Sequence, residues 1–177
     1  NLSIQVHPDD ELAQEIGLHN GKTEMWYVMN ADKDAGLVSG FNKEVTPQEF
    51  EQAIKDKTVG DLLNYEKVQN DDTFFIPARK IHALGAGCMV AEIQQTSDTS
   101  YRVYDWDRID RYGMQRELHI DESLATINFK KEDSGKVKYD KNIRNATVNL
   151  VKCPYFTTNL IKLDAESVLK KDYSELD

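Results

Sequence analysis

Short stretches in which apolar and polar residues alternate recur along the chain, and this period of two predicts β-strands. In the first stretch, Leu2, Ile4 and Val6 share one face of the strand, while Gln5 and His7 share the other. The other predicted strands lie at 22–29, 72–77, 88–95 and 101–106, with a short strand starting at 82 and strand patterns resuming at 147. Many short strands separated by turn signals favour a mainly β sandwich or barrel.

Two segments depart from this alternation and predict helices. Pro8 and the acidic residues after it begin a short helix that Gly17 ends. The segment 46–49, Thr-Pro-Gln-Glu, is a capping box with proline at the first helical position, and a second short helix is predicted over 58–65. Because this block lies between strands, we expect a small helical insertion near residues 46–65.

The segment 130–146 is charged, contains glycine and has few apolar residues, so it predicts a loop or linker. It separates a larger unit, residues 1–129, from the start of a C-terminal β region at 147–177. The chain has no initiator methionine and enters a strand at once, so we expect a piece of a longer protein, truncated at both ends. A barrel opened at residue 1 is then expected to leave residues 2–7 as an exposed apolar edge.

The overall charge excludes several classes of function. The 177 residues include 22 Lys and Arg against 31 Asp and Glu, which gives a net charge of −9. This balance argues against nucleic-acid binding, which needs clustered cations. No apolar run reaches the roughly 20 residues of a membrane-spanning helix, and no signal peptide is seen. Cys88 and Cys153 are too few for a disulfide framework and predict buried thiols in a reducing compartment, the cytoplasm.

Side chains that bind metals occupy strand positions with a shared face. Gln5 and His7 are two residues apart, as are Lys22 and Glu24, and His82 begins another short strand. If neighbouring strands aim these residues at one point, two imidazoles, one carboxylate and one amide oxygen form a site that suits Zn²⁺, although other divalent metals also fit. Each histidine taken alone is more often a hydrogen-bonded structural residue than a ligand.

Two other histidines and one arginine complete the set of notable polar residues. His19 and His119 have no partner pattern and are predicted to be surface or loop residues. On the strand YRVYDW, alternation predicts that Arg102 shares a face with Tyr104 and lies opposite Val103.

Four strings occur in an order that closely resembles the type I mannose-6-phosphate isomerases, metalloenzymes of the cupin superfamily: LSIQVHPDD, GKTEMWYVM, FFIPARKIHALG and AEIQQTSDTSYRVYDWDR. The resemblance covers residues 1–129 well and the last thirty residues weakly. It implies a cupin-like (jelly-roll) barrel in which residues 1–129 are the catalytic, metal-binding domain. It also implies the interconversion of mannose 6-phosphate and fructose 6-phosphate.

The resemblance assigns four ligands to one zinc ion per chain: Gln5, His7, Glu24 and His82. Arg102 matches the catalytic arginine of the family, and Lys22 matches a lysine that lines its sugar-phosphate pocket. Where the family usually has glycine before the histidine ligand, this chain has Arg79. Glu92, on a strand between His82 and Arg102, is a candidate for proton transfer, and pairing with a nearby cation is an equally open interpretation.

The residues fit the chemistry of an aldose–ketose isomerase. Moving a proton between two sugar carbons through an enediolate needs a polarised carbonyl, a base and a cation near the developing oxyanion. A small sugar phosphate is the expected partner, without nucleic acid or membrane, and the oligomeric state stays open. Two alternatives remain: another cupin metalloenzyme of the oxygenase or decarboxylase type, and a non-enzymatic sugar-binding cupin.

Overall fold

The computed structural model describes residues 2–170, which contain ten β-strands, three α-helices and one 3₁₀ helix. The strands are β1 Ile4–Val6, β2 Glu24–Ala31, β3 Gly36–Phe41, β4 Leu63–Lys67, β5 Thr73–Ile76, β6 His82–Leu84, β7 Cys88–Gln94, β8 Tyr101–Tyr104, β9 Thr147–Lys152 and β10 Thr157–Ile161. The helices are α1 Asp10–Glu15, α2 Pro47–Lys55 and α3 Ile120–Thr126, and the 3₁₀ helix spans Val59–Leu62.

Two antiparallel sheets face each other across an apolar core. One sheet has five strands in the order β4-β3-β6-β1-β8, and the other has three in the order β5-β2-β7. Leu37 of the first sheet packs with Trp26 and Phe74 of the second, and all three are fully buried. A mainly β, cupin-like arrangement of facing sheets with a helical insertion is therefore confirmed.

Further layers cover the outer faces of both sheets. Ile4 and Val6 of β1 pack against Phe50 of α2 and Ile127 after α3, so the helices cover the five-stranded sheet. The hairpin β9–β10 covers the three-stranded sheet, where its apolar side chains pack against Met25. Because the apolar positions of β1 face the helices, the alternate polar positions are turned toward the space between the sheets.

Several sequence predictions need correction. The predicted helix over 58–65 is a 3₁₀ turn followed by strand β4, which pairs with β3 through Val38 and Tyr65. Strand β1 is not an exposed edge, because it pairs with β6 on one side and β8 on the other. A register shift between Ile4 and Gln5 places Tyr104 opposite Ile4 and against the helix-side core, so Tyr104 does not share a face with Arg102.

Cys88 and Cys153 are unpaired, and each is half-buried rather than fully buried as predicted. Within residues 2–170, no helix is long and apolar enough to cross a membrane. Asn1 and residues 171–177 of the predicted C-terminal region lie outside the described residues.

Candidate metal and active site

One row of polar residues crosses the inner face of the five-stranded sheet. Gln5 of β1 pairs with His82 of β6 on one side and with Arg102 of β8 on the other. His82 in turn pairs with Ser39 of β3. Residues directly opposite each other in antiparallel strands share a face, so this row faces the space between the sheets. Glu24, the first residue of β2, faces the row from the three-stranded sheet.

Three buried side chains converge at this point. His7, Glu24 and His82 each offer one ligand atom, and these atoms lie within 4.8 Å of one another. Glu24 Oε2 is 3.4 Å from His7 Nε2, and Glu24 Oε1 is 3.4 Å from His82 Nε2. None of the three residues is more than 1% exposed. The structure therefore brings together three of the four predicted ligands in a closed cluster.

Backbone carbonyls fix the tautomer of both imidazoles. His7 Nδ1 lies 2.9 Å from the carbonyl oxygen of Thr99, and His82 Nδ1 lies 2.8 Å from that of Lys80. Because a carbonyl oxygen can only accept, each Nδ1 carries the proton and donates it. In its neutral form each imidazole then has its lone pair on Nε2, beside Glu24, which is the arrangement that metal-ligating histidines need.

Three buried atoms of this cluster make no hydrogen bond within the described residues. Within residues 2–170, His7 Nε2 and both carboxylate oxygens of Glu24 are buried without a hydrogen-bond partner. Buried polar atoms are nearly always hydrogen-bonded, so three converging orphan acceptors need an explanation. A divalent cation satisfies all of them at once, and imidazole nitrogen with carboxylate oxygen is a donor set that Zn²⁺ accepts.

The carboxamide of Gln5 lies against the same cluster. Gln5 Nε2 is 3.3 Å from His82 Nε2 and donates to it in this orientation. A half turn of the amide group exchanges its nitrogen and oxygen, which presents Oε1 to the cluster instead. Gln5 is therefore placed to serve as a fourth, neutral oxygen ligand.

The charges in the cluster favour cation binding. Burial raises the pKa of Glu24, but the neighbouring His7, His82 and Lys22 outweigh it and lower that pKa to about 2. Burial lowers the pKa of His82 to about 4, against the opposing effect of the Glu24 carboxylate. At neutral pH the cluster therefore presents an ionised carboxylate and an unprotonated His82, the states in which these groups bind metals.

A lysine links this cluster to a second carboxylate. Lys22 Nζ lies 3.4 Å from Glu24 Oε2 and 3.8 Å from Glu92 Oε1. Glu92 Oε2 accepts a hydrogen bond from Trp26 Nε1 at 3.0 Å. Of these two partners of Lys22, Glu24 has no exposed side-chain surface and Glu92 is 32% exposed. Glu92 therefore combines a fixed orientation with access to a small molecule from solvent.

A tight turn at Gly21 brings the start of β2 close to the end of β1. A Cβ atom on Gly21 would lie 2.4 Å from the carbonyl carbon of Asp9, so only glycine allows the turn to approach this closely. The backbone N–H of Lys22 donates to the carbonyl of Pro8 at 2.9 Å. The start of β2, with Glu24, is thereby held against the end of β1.

Strand register places Arg102 beside the site, and its guanidinium is bound by the segment that follows β8. Its Nη1 donates to the carbonyl of Glu117 at 2.5 Å. Its Nε is buried and has no hydrogen-bond partner among the described residues. Because Arg102 is directly opposite Gln5, this spare donor lies one strand away from the metal cluster.

In the turn before His82, an arginine adopts a backbone conformation that usually favours glycine. Arg79 has a φ of +70°, in the left-handed region. Its backbone N–H donates to the carbonyl of His7 at 2.7 Å, and its carbonyl accepts from the N–H of Asn128 at 2.9 Å. Its Nε donates to the carbonyl of Thr126 at 3.0 Å, and Nη1 pairs with Asp9 at 3.4 Å. Arg79 therefore connects the end of β1 to the end of α3.

This geometry predicts the relative stability of two variants at one position. Arg79→Ala and Arg79→Gly both lose the side-chain contacts, but only alanine retains the steric cost of the left-handed region, about 1–2 kcal/mol. We therefore expect Arg79→Ala to lower the free energy of unfolding by about 1–2 kcal/mol more than Arg79→Gly does. Urea unfolding of the two variants measures this difference, and an alanine variant as stable as the glycine variant would contradict it.

Sequence patterns do not indicate the groups that orient the site. The carbonyls of Thr99 and Lys80 act through the backbone, so their side-chain identity carries no signal. His19 is exposed, as predicted. His119 lies in a loop as predicted, but it is half-buried and bonded to Arg102.

Comparison with known proteins shows relatives along most of the chain. No protein-family model matches the chain. The chain is 36% identical over 176 residues to a mannose-6-phosphate isomerase of Bacillus subtilis, which covers 97% of this chain and 55% of that protein. It is 39% identical over 156 residues to the mannose-6-phosphate isomerase of Streptococcus mutans, which covers 88% of this chain and 49% of that protein.

A solved structure shows the same fold. The crystal structure of the mannose 6-phosphate isomerase from Bacillus subtilis superposes with a TM-score of 0.79 at 32% sequence identity. The superposition covers 89% of this chain and 51% of that one. The chain thus spans about half the length of the curated relatives that it matches.

Proposed function

Because this chain belongs to the mannose-6-phosphate isomerase family over the half of those proteins that it spans, we propose that it carries the metal and catalytic site of an aldose–ketose isomerase. The proposed substrates are mannose 6-phosphate and fructose 6-phosphate. The observation that supports this most directly is the buried group of orphan acceptors on His7 and Glu24. Lys22 Nζ approaches Glu24 Oε2 at 3.4 Å, and a bound divalent cation would satisfy the acceptors on His7 and Glu24 at once.

The proposed metal is zinc, one ion per chain, held by Gln5, His7, Glu24 and His82. Three of these residues place their ligand atoms within 4.8 Å of one another, and the Gln5 amide lies beside them. When bound, the ion supplies Lewis acidity that polarises an oxygen of the sugar. Only Glu24 among the ligands is anionic, so the loaded site keeps a positive charge.

We assign proton transfer to Glu92. Trp26 fixes one oxygen of this carboxylate, the other oxygen, Oε1, faces Lys22, and the side chain is partly exposed. Oε1 can take a proton from one sugar carbon and return it to the next, which is the step that an enediolate mechanism needs. Lys22 is held between two carboxylates and is placed to donate to a sugar hydroxyl or phosphate oxygen.

Arg102 is assigned to the developing charge of the enediolate. A guanidinium stays charged at any working pH and offers parallel donors, so it stabilises an oxyanion and is a poor base. Within the described part of the chain, the buried Nε of Arg102 is a donor without an acceptor, and a substrate oxygen would satisfy it. Arg102, Lys22 and the metal supply local positive charge, while the net charge of −9 is screened beyond about 8 Å at physiological salt.

The division of the chain also stays a proposal. We infer that residues 1–129 form the catalytic domain, that 130–146 are a loop and that a C-terminal β region starts at 147. The hairpin β9–β10 and the apolar residues it contacts, among them Met25, are compatible with a C-terminal region that packs on the catalytic sheet. Unpaired Cys88 and Cys153 support a cytoplasmic location, because thiols stay reduced there.

A coupled assay tests the proposed function. The protein, expressed at the length its gene encodes, should convert mannose 6-phosphate to fructose 6-phosphate, lose turnover when a chelator removes its metal, and regain it with added Zn²⁺. The same samples should consume no oxygen and release no carbon dioxide, which separates this activity from an oxygenase or decarboxylase. Metal-replete protein that binds mannose 6-phosphate without converting it would instead support a sugar-binding cupin.

A further inference from the structure

The outer edge of strand β8 is closed by a histidine side chain. The backbone N–H of His119 donates to the carbonyl of Arg102 at 2.8 Å. In return, the backbone N–H of Arg102 donates to His119 Nδ1 at 3.1 Å. The imidazole nitrogen thus takes the place of the carbonyl that a further strand would offer, and it completes a two-bond ladder around Arg102.

The same segment also holds the side chain of that arginine. Two residues before His119, the carbonyl of Glu117 accepts a hydrogen bond from Arg102 Nη1 at 2.5 Å. The backbone and the side chain of Arg102 are therefore both fixed by residues 117–119, and its buried Nε–H has no acceptor among residues 2–170. Because Nδ1 accepts, the proton of the His119 imidazole is on Nε2.

The clamp is itself anchored in the fold. The carbonyl of His119 accepts from both the backbone N–H and the hydroxyl of Ser123, at 2.9 and 2.5 Å, and Ser123 is fully buried in α3. The rings of His119 and Tyr101 lie 6.2 Å apart. Helix α3 packs against β8 and β1, so the segment 117–119 is held by Arg102 of β8 on one side and by α3 on the other.

We propose that His119 is a positioning residue for Arg102, with its Nδ1 acting as a backbone surrogate that fixes where the guanidinium meets the substrate. This inference rests on the proposed function, in which Arg102 stabilises the enediolate. A displacement of about 1 Å of a catalytic group can lower the rate by about 100-fold. Because Arg102 lies opposite Gln5, the position of β8 determines how far the guanidinium extends toward the metal cluster.

Two substitutions at one position separate the acceptor from the rest of the imidazole. His119→Ala removes Nδ1. His119→Asn restores an acceptor, because its Oδ1 is two bonds from Cβ, as Nδ1 is. His19→Ala, which removes an exposed histidine, is the matched control. All are made in the protein as its gene encodes it, and each is measured for kcat, KM, metal content and the hydrogen-exchange rate of the Arg102 amide.

We expect His119→Ala to lower kcat by at least about tenfold with a smaller change in KM, because it misplaces a group that acts in the transition state. Metal content should stay normal, and the Arg102 amide should exchange at least about tenfold faster, since its acceptor is gone. His119→Asn should restore both kcat and protection, and His19→Ala should change neither.

Distinct results overturn the clamp and the proposed function. Unchanged Arg102 exchange in His119→Ala, or faster exchange with normal kcat, overturns the positioning role while the isomerase assignment stands. Loss of kcat that His119→Asn does not restore overturns the role of the acceptor atom. If the wild-type protein does not isomerise the sugar phosphate, the proposed function fails and the positioning role fails with it, whatever the exchange rates show.

Discussion

Glu24→Gln is expected to abolish stoichiometric metal binding and, with it, isomerase turnover, while the chain stays folded. The substitution keeps the size of the side chain and removes the single negative charge among the four proposed ligands. Glu24 is fully buried between the Nε2 atoms of His7 and His82, so no other carboxylate within the described residues takes its place in the cluster. A ligand set with no anion holds a dication far less tightly, since its charge is then uncompensated in a buried site.

Thermal unfolding with and without a chelator makes this test independent of activity. Metal at 100 times its dissociation constant stabilises the folded state by about 2.7 kcal/mol, and the stabilisation is lost on chelation. The wild-type protein should therefore unfold at a lower temperature after chelation, whereas Glu24→Gln should show no such change. Glu11→Gln, at an exposed position of α1, is the control and should behave like the wild type. Normal metal content in Glu24→Gln would contradict this prediction. The contacts of Glu24 with the two histidines would then be interpreted as structural ion pairs.

The sequence predicts the ligand positions because strand alternation is a local property. Gln5 and Glu24 each occupy the polar or inward position of a strand, and this parity is visible from the residues alone. Strand β3 escapes prediction because all six of its residues are buried, so no alternation marks it. Helix α3 escapes because its N-cap, His119, makes no side-chain capping bond that would signal a start.

Register and side-chain clamps are not local, and sequence patterns therefore miss them. The shift between Ile4 and Gln5 decides that Arg102, and not Val103, lies opposite the metal-binding strand position. The bond from Arg102 to His119 joins residues 17 apart in sequence, so no short motif reveals it. The proposed reach of Arg102 into the site depends on both features.

Arg102→Ala is expected to lower kcat by about 100- to 1,000-fold, equivalent to about 3–4 kcal/mol of transition-state stabilisation, while metal content stays normal. The loss falls on kcat because enediolate charge develops only during the reaction. Metal binding should be unaffected, since Gln5 separates Arg102 from His82 in the sheet and the arginine offers no ligand atom.

Lysine at position 102 distinguishes a fork of donors from a single charge. An ammonium can replace the bond from Nη1 to the carbonyl of Glu117, but it then has no rigid second donor at the place of the buried Nε. Arg102→Lys should therefore retain only part of the kcat that Arg102→Ala loses. Arg111→Ala, at an exposed arginine, is the control and should keep the kcat of the wild type. Steady-state isomerisation of mannose 6-phosphate, with zinc quantified on the same samples, gives all of these values. Near-normal turnover in Arg102→Ala would show that the arginine takes no part in the reaction and that its contacts with Glu117 and His119 only stabilise the edge of the sheet.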